Sequence, residues 1–349
     1  MMGSVAVVGA SLAGMHAAHT LRRQGFDGRI TVIDPDPNRP YDRPPLSKQV
    51  LAGEWDADRI VLPAALEDLD LDFQLGRRAM GLDLADRFVR LDAGDRVGYD
   101  GLVIAAGASA RRLRGTESLA GVHVLRTLDD CLALRAELDQ GPSRVVVVGA
   151  GFIGAEVAAT CRQRGLEVSL LEMAEVPLER ALGAHIGAVM ADLHRDHGVD
   201  VRLGVGVDGL EGDTHVTGVR LADGTVIAAE VVVVGIGVVP NTDWMEGSGL
   251  NIDDGVVCDA TLSAAPGVVA AGDIARWPSA RYGQFLRVEH WETAVQMGEA
   301  AALRLLAAER DTEPEEFDPV PWFWSDQYDR KIQLAGRSSA EDRVEVVIG

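Results

Sequence analysis

The feature that most constrains this chain is a strand, a glycine turn and a helix start that occur twice. The first copy is Val5-Ala6-Val7-Val8-Gly9-Ala10-Ser11-Leu12-Ala13-Gly14. The second is Val145-Val146-Val147-Val148-Gly149-Ala150-Gly151-Phe152-Ile153-Gly154. Each apolar run is short enough for a buried strand, and each turn opens an Ala-rich stretch with helical spacing. A second apolar run follows each and ends in an acid: Ile30-Thr31-Val32-Ile33-Asp34 and Val168-Ser169-Leu170-Leu171-Glu172. Both acids fall about twenty residues past the last glycine, the spacing of a dinucleotide fingerprint. The glycines allow a tight turn, bring backbone up to a pyrophosphate and let helix pack on strand. The helix start offers unpaired N–H groups and a positive dipole end, and the acid accepts from a ribose hydroxyl. One such match fits a ligand-free α/β turn. Two, each with strand, helix and acid in place, favour binding, and two dinucleotides on one chain predict electron transfer between them. Ser11 departs from the pattern. It stands where the second glycine belongs, and its hydroxymethyl crowds the phosphates while its hydroxyl can donate to one.

At 349 residues the chain predicts two or three domains. No apolar stretch approaches the roughly 20 residues that span a bilayer, and no secretory signal precedes the first strand. A cytoplasmic protein is expected. The net charge of −21 repels nucleic acid and anionic membrane. Cys131, Cys161 and Cys258 are far apart and form no C-x-x-C or zinc spacing, so no metal site and no redox pair is predicted. Cys161 lies at core-like spacing on the helix after the second fingerprint, which predicts burial.

Leu102-Val103-Ile104-Ala105-Ala106-Gly107 reads as a buried strand ending in small residues. Val231-Val232-Val233-Val234-Gly235-Ile236-Gly237 mirrors it. Two similar domains follow, the second inserted into the first. The chain past Pro240-Asn241 returns to the first domain through a short strand ending in Gly272-Asp273. A helix with Thr293, Ala294, Met297, Ala301 and Leu305 at helical spacing is predicted next. Residues 311–321 read as an acidic linker, and 322–349 as strands running to Val346-Val347-Ile348-Gly349, short for a complete domain. The fold class is therefore α/β, with two Rossmann-like dinucleotide-binding domains and a small C-terminal α+β domain. The predicted domains are 1–110 with 240–315, 111–239, and 316–349.

Further segments carry a specific likeness: Tyr41-Asp42-Arg43-Pro44-Pro45-Leu46-Ser47-Lys48, Gly272-Asp273, Glu289-His290-Trp291 and Pro321-Trp322-Phe323-Trp324-Ser325-Asp326-Gln327. On these the chain, from Val5 to about Gly336, resembles the NADH-dependent ferredoxin reductases of the putidaredoxin-reductase and Rieske-ferredoxin-reductase type. These are FAD enzymes of glutathione-reductase-like architecture. Ser11, Asp34 (glutamate is usual) and Ala106 depart from that pattern.

The resemblance implies non-covalent FAD on Gly9, Ser11, Leu12, Ala13 and Gly14, and NADH on Gly149, Gly151, Phe152, Ile153 and Gly154. It puts Asp34 on the adenosine ribose of FAD and Asp273 on the ribityl chain, although Gly-Asp ahead of a helix also reads as an N-cap. Arg43, Arg126, Ala106, Gly107, Gly272, Glu289, His290 and Trp291 complete the FAD set. Glu172 and Arg180 take the NADH adenosine. Gly237, from its place at the end of the last strand of the inserted domain, either leaves room for the nicotinamide or is an ordinary loop glycine. Lys48 pairs with Glu156 beside the flavin, where a cation near N5 favours the charge gained on reduction. A surface lysine and a glutamate suited to a helix start are the plainer alternative. Trp324 stands either on an electron path or in a core.

Ser47 occupies the position of the reactive cysteine in peroxidase and oxidase relatives, and no cysteine is near it in sequence. The expected route is single electrons to an outside iron–sulfur ferredoxin, 2Fe-2S or similar, serving an oxygenase or P450. Arg276, Arg281, Arg287, Arg330, Lys331 and Arg337 are the expected basic face for it. The competing readings are a monodehydroascorbate- or nitrite-reductase-type NADH reductase and a flavoprotein like apoptosis-inducing factor. The net charge disfavours the latter.

Overall fold

The computed structural model describes residues 2–62, 69–116, 118–339 and 342–347, which divide by packing into two units. Unit 1 comprises Met1–Asp42, Ile60–Ser109 and Val239–Phe323. Unit 2 comprises Arg43–Arg59, Ala110–Val238 and Trp324–Gly349.

In unit 1, strand Ser4–Val8 lies between Arg29–Asp34 and Gly101–Ile104, parallel to both. Asp72–Leu75 and Val268–Ala270 extend the sheet in parallel, and Ser263–Ala265 closes one edge antiparallel. Val5, Ala6, Val7, Ile30, Val32, Leu102 and Val103 are buried. Strands covered on both faces need unbroken apolar runs rather than alternation, which is why these segments read so plainly in sequence. Helices Leu12–Arg23 and Trp291–Arg310 pack closely, because a Cβ at Gly298 would come 2.3 Å from the Ala13 carbonyl oxygen. Unit 2 repeats the plan. Its parallel sheet runs Asp200–Arg202, Glu167–Leu171, Arg144–Val148, Val231–Val234, Val122–His123. An antiparallel three-stranded sheet, Val207–Glu211, Gly218–Leu221 and Val226–Ala228, accompanies it.

Two expectations are corrected. No helix follows Gly272-Asp273 directly. Gly272–Ile274 is a single 3-10 turn capped by Ala271, and strand Ala275–Ser279 follows, hairpinned to Gln284–Leu286. Ala275, Trp277 and Ser279 are buried in alternation, the period of a strand. The helix starts only at Trp291, capped by His290, so Asp273 caps no regular helix. In the tail, Trp322–Gln327 and Arg330–Ala335 form a hairpin, but 342–347 form no strand and Val346 and Val347 are exposed. Ile348 and Gly349 lie outside the described residues. Among the described residues no helix is long and apolar enough to cross a membrane.

Segment Arg43–Arg59 is held in unit 2 by side chains on its helices. Thr160 Oγ1 donates to the Ser47 carbonyl at 2.8 Å, Arg164 to Leu51 O at 2.7 Å, and the Cys131 thiol to Leu46 O at 3.1 Å. His194, wholly buried on helix Glu179–Asp196, ties the tail hairpin to the same unit. Burial lowers its pKa from 6.5 to about 4. As pH falls below the ordinary value the unfolded chain takes up a proton that the folded chain refuses. The stability this residue contributes is thus complete above about pH 6.5 and lost as pH falls toward 4. Between pH 7 and 4.5 the loss should be about 2–3 kcal/mol. Urea unfolding at the two pH values should show it, and His194→Gln, which has no titration, should flatten the difference. An equal pH slope in both proteins would contradict the assignment.

Candidate functional site

The first glycine turn has its geometry set by backbone approach. Gly9 has φ +117°, and a Cβ there would sit 2.1 Å from Ala105 O, while one at Gly14 would sit 1.9 Å from Gly9 O. Ser11 caps helix Leu12–Arg23 by backbone alone, with no side-chain hydrogen bond. The N–H groups at that helix start have no intrahelical partner. Asp34, nearly buried at the end of its strand, accepts from Ala10 N at 2.6 Å and Asp36 N at 2.8 Å. A carboxylate offers about four acceptor directions, and these two bonds fix its orientation at the turn. Gly272 belongs beside this turn, since its missing Cβ would touch Ala13 Cβ at 3.0 Å.

Other unit 1 candidates are held by identifiable partners. Asn241 donates to Ala106 O at 2.8 Å, and its own N–H donates to Gly107 O at 3.0 Å. Arg287 donates to Asp273 O at 3.0 Å and to Glu289 Oε1 at 2.6 Å. Trp291 Nε1 donates to Asp42 Oδ1 at 2.8 Å, and the His290 ring lies 4.8 Å from Phe323.

The second turn, in unit 2, repeats the first. Glu172 accepts from Ala150 N at 2.6 Å and Ala174 N at 2.9 Å, the same two relative positions that bind Asp34. Gly154 packs on Gly149 O as Gly14 does on Gly9 O. Gly151 caps helix Phe152–Gln163 with nothing within 4 Å of where its Cβ would be, and Ile153 is exposed. Both nucleotide helices thus lack a side-chain cap, whereas helix Leu128–Leu138 carries a full Thr127/Asp130 capping box. Helix starts left open beside a glycine turn and an anchored acid fit a pyrophosphate and ribose. Arg180 is exposed on the first turn of Glu179–Asp196, Gly237 has φ +95° with open space around it, and Arg126 precedes the Thr127 cap, half-buried.

Unit 2 also holds the Lys48–Glu156 pair. Segment 43–59 and helix Phe152–Gln163 bring these side chains to 2.6 Å, with 13% and 5% of their side-chain surface exposed. Ser47 Oγ donates to Glu156 Oε2 at 2.5 Å and Ser325 Oγ to Oε1 at 2.7 Å. Two buried opposite charges are costly unless their remaining hydrogen-bond capacity is met, and here both carboxylate oxygens are occupied. Ser47 and Ser325 were missed as site residues; Ser325 shares the alternation Phe323, Ser325, Gln327 that faces inward on its strand. Arg43 precedes the turn Pro44–Ser47, and Trp324 lies on the other face of its strand, half-buried with Trp322.

Residues 3–298 match the family model described as pyridine nucleotide-disulphide oxidoreductase. The chain belongs to that family. Residues 322–347 of this pyridine nucleotide-disulphide oxidoreductase match a further model, reductase C-terminal. Among its relatives is the rhodocoxin reductase of Rhodococcus erythropolis, 37% identical over 97% of this chain and 79% of that protein. Another is the ferredoxin–NAD(+) reductase component of the biphenyl dioxygenase system of Paraburkholderia xenovorans (strain LB400), 39% identical over 100% of this chain and 84% of that one. The solved covalent putidaredoxin reductase–putidaredoxin complex is 34% identical with a TM-score of 0.91, over 98% of this chain and 83% of that chain.

Although the family is named for disulphides, this oxidoreductase holds three free, buried cysteines. Cys131 does approach the Ser47 segment, a proximity that sequence spacing hid. Burial pushes its thiol up to about 12, so it is no nucleophile. Of the residues expected to form a basic face, Arg276, Arg281 and Arg287 belong to unit 1, and Arg330, Lys331 and Arg337 to unit 2. Arg276 pairs with Asp253, Arg287 with Asp254 and Glu289, Arg330 with Asp329 and Lys331 with Asp326.

Proposed function

We propose that this chain is an FAD-dependent NADH:ferredoxin oxidoreductase. Hydride passes from NADH to FAD, and single electrons then pass to an iron–sulfur ferredoxin that serves an oxygenase or P450. The observation that carries this is the pair of matching open nucleotide turns in a chain whose three thiols are buried and unpaired. Its relatives named as ferredoxin–NAD(+) reductase and rhodocoxin reductase support the choice of acceptor.

FAD, when bound, accepts two electrons as hydride and gives them up singly. The first turn and Asp34 would hold its pyrophosphate and adenosine ribose, and Asp273 its ribityl chain. Arg43, Ala106, Gly107, Arg126, Gly272, Glu289, His290 and Trp291 complete that site. The second turn, Glu172 and Arg180 would hold NADH, with Gly237 giving space to the nicotinamide. Lys48, balanced by Glu156, supplies positive charge where reduction adds negative charge. Trp324 would stand between flavin and acceptor. We assign 1–110 with 240–315 to FAD, 111–239 to NADH and 316–349 to the C-terminal domain, and place the protein in the cytoplasm, where unpaired cysteines persist.

The FAD should be non-covalent, so acid precipitation should release all of the yellow colour to the supernatant; colour kept in the pellet would contradict this. Replacing Arg330 and Lys331 together by glutamate should slow ferredoxin-dependent turnover about tenfold at low salt, through association. NADH–ferricyanide activity should stay within twofold of the parent. Equal loss in both assays would mean these charges support the fold, and no loss in either would place the ferredoxin elsewhere.

A further inference from the structure

The buried pair does not end at Ser325. Gln327 Nε2 donates to Ser325 Oγ at 3.2 Å, and Gln327 Oε1 lies 3.0 Å from His194 Nε2. His194 Nδ1 in turn lies 3.0 Å from the Tyr328 hydroxyl. His194, Ser325 and Gln327 are wholly buried. All of these residues belong to unit 2.

The carboxylate dictates the direction of this chain, because an ionised Glu156 only accepts. Ser325 has one proton and spends it on Glu156 Oε1, so its oxygen must accept from the amide of Gln327. The Gln327 carbonyl then faces His194, which must donate from Nε2. A neutral imidazole with its proton on Nε2 accepts at Nδ1, and the Tyr328 hydroxyl donates there. Each donor points toward Glu156, an arrangement in which successive bonds polarise one another. Burial keeps His194 neutral at ordinary pH, as this tautomer requires. The Tyr328 ring is fixed at this end of the chain of bonds. Its backbone is left-handed at φ +55°, a costly conformation for a bulky residue, and the ring stacks on His197 at 3.7 Å.

We propose that His194 is a positioning residue for the Lys48–Glu156 pair, acting through Gln327 and Ser325. Its N–H fixes which way the Gln327 amide faces. That fixes the Ser325 proton on Oε1 and leaves Oε2 to Lys48 and Ser47. Without His194 the amide is free to flip, Ser325 loses its fixed donor, and the carboxylate turns away from Lys48. This rests on the reading that Lys48 and Glu156 serve the flavin.

The test uses the FAD-loaded full chain. Nitrogen-15 NMR of the histidine rings at pH 7 should show His194 with its proton on Nε2 and a bare Nδ1; the opposite tautomer would overturn the inference whatever the kinetics. His194→Leu should lower kcat for NADH oxidation about tenfold with KM for NADH within twofold. His194→Gln, which restores an N–H near the Nε2 position, should recover kcat to within threefold. Equal losses in the two variants would mean a packing role only and would overturn it. If His194→Leu does not fold, Ser325→Ala carries the same expected tenfold loss. In a Glu156→Gln background His194→Leu should add nothing, and an additive loss would overturn the inference. Glu156→Gln slow with His194→Leu normal would sink the inference alone. Glu156→Gln at the parent rate would sink the reading of the pair itself, and the inference with it.

Discussion

Replacing Glu156 by glutamine should slow reduction of the bound flavin by NADH about a hundredfold. Lys48 Nζ lies 2.6 Å from Glu156 Oε2, and that oxygen also accepts from Ser47. The Ser325 proton occupies the other oxygen. A glutamine has one acceptor and one NH2 group for these three donors. Either Ser325 or the Lys48–Ser47 side must face an N–H. The ammonium loses its counter-charge where solvent does not replace it, an imbalance that costs about 3–5 kcal/mol when a buried pair is broken. Part of that cost is relieved by movement of Lys48 toward water, leaving about 2.7 kcal/mol, or a hundredfold, on the hydride step. Stopped-flow loss of flavin absorbance under anaerobic conditions measures it. Lys48→Met should be slowed to a similar degree, and the double variant no further, because the two groups act as one unit. A Glu156→Gln rate within threefold of the parent would remove the pair from the chemistry.

The second large effect concerns the nucleotide. NADH should be preferred to NADPH by two to three orders of magnitude in kcat/KM, and Glu172→Ala should bring the two within about tenfold. Glu172 is held by Ala150 N and Ala174 N, so its carboxylate cannot swing away from a 2′-phosphate. Two like charges about 4 Å apart repel by about 4 kcal/mol at the effective dielectric near a protein surface. Met173, next in sequence, is 76% exposed and brings no compensating charge. Arg180 stands exposed on the following helix and, on the proposed reading, would be the group offered to a phosphate once the acid is gone. The variant should lose NADH efficiency and gain NADPH efficiency together. A parent that prefers NADPH, or a variant with an unchanged ratio, would contradict the role given to Glu172.

What the sequence made legible was local. The glycine turns, the apolar strands beside them and the acids that close each unit are short patterns in which spacing alone decides geometry. The structure adds that Asp34 and Glu172 are held by equivalent backbone amides of the two turns. The strand after Gly272-Asp273 was hidden because Ala275, Trp277 and Ser279 alternate over only five residues, with Pro278 among them. The surroundings of Glu156 were hidden for another reason. Ser47, His194 and the Ser325/Gln327 strand come from three separate stretches of chain, and no local period links them to Glu156; only the docking of the 43–59 segment and the tail hairpin brings them together. Cys131 beside Leu46 is a case of the same kind.

The most direct test of the account is an anaerobic two-step mixing experiment on the purified yellow protein. NADH is added in stoichiometric amount, and an oxidised 2Fe-2S ferredoxin from a related oxygenase system follows. The account predicts that NADH removes the flavin absorbance rapidly. It also predicts that two equivalents of ferredoxin restore it while the ferredoxin is reduced. Failure of NADH to bleach the flavin, or a bleached flavin that ferredoxin leaves untouched while a disulphide or quinone restores it, would contradict the proposed function.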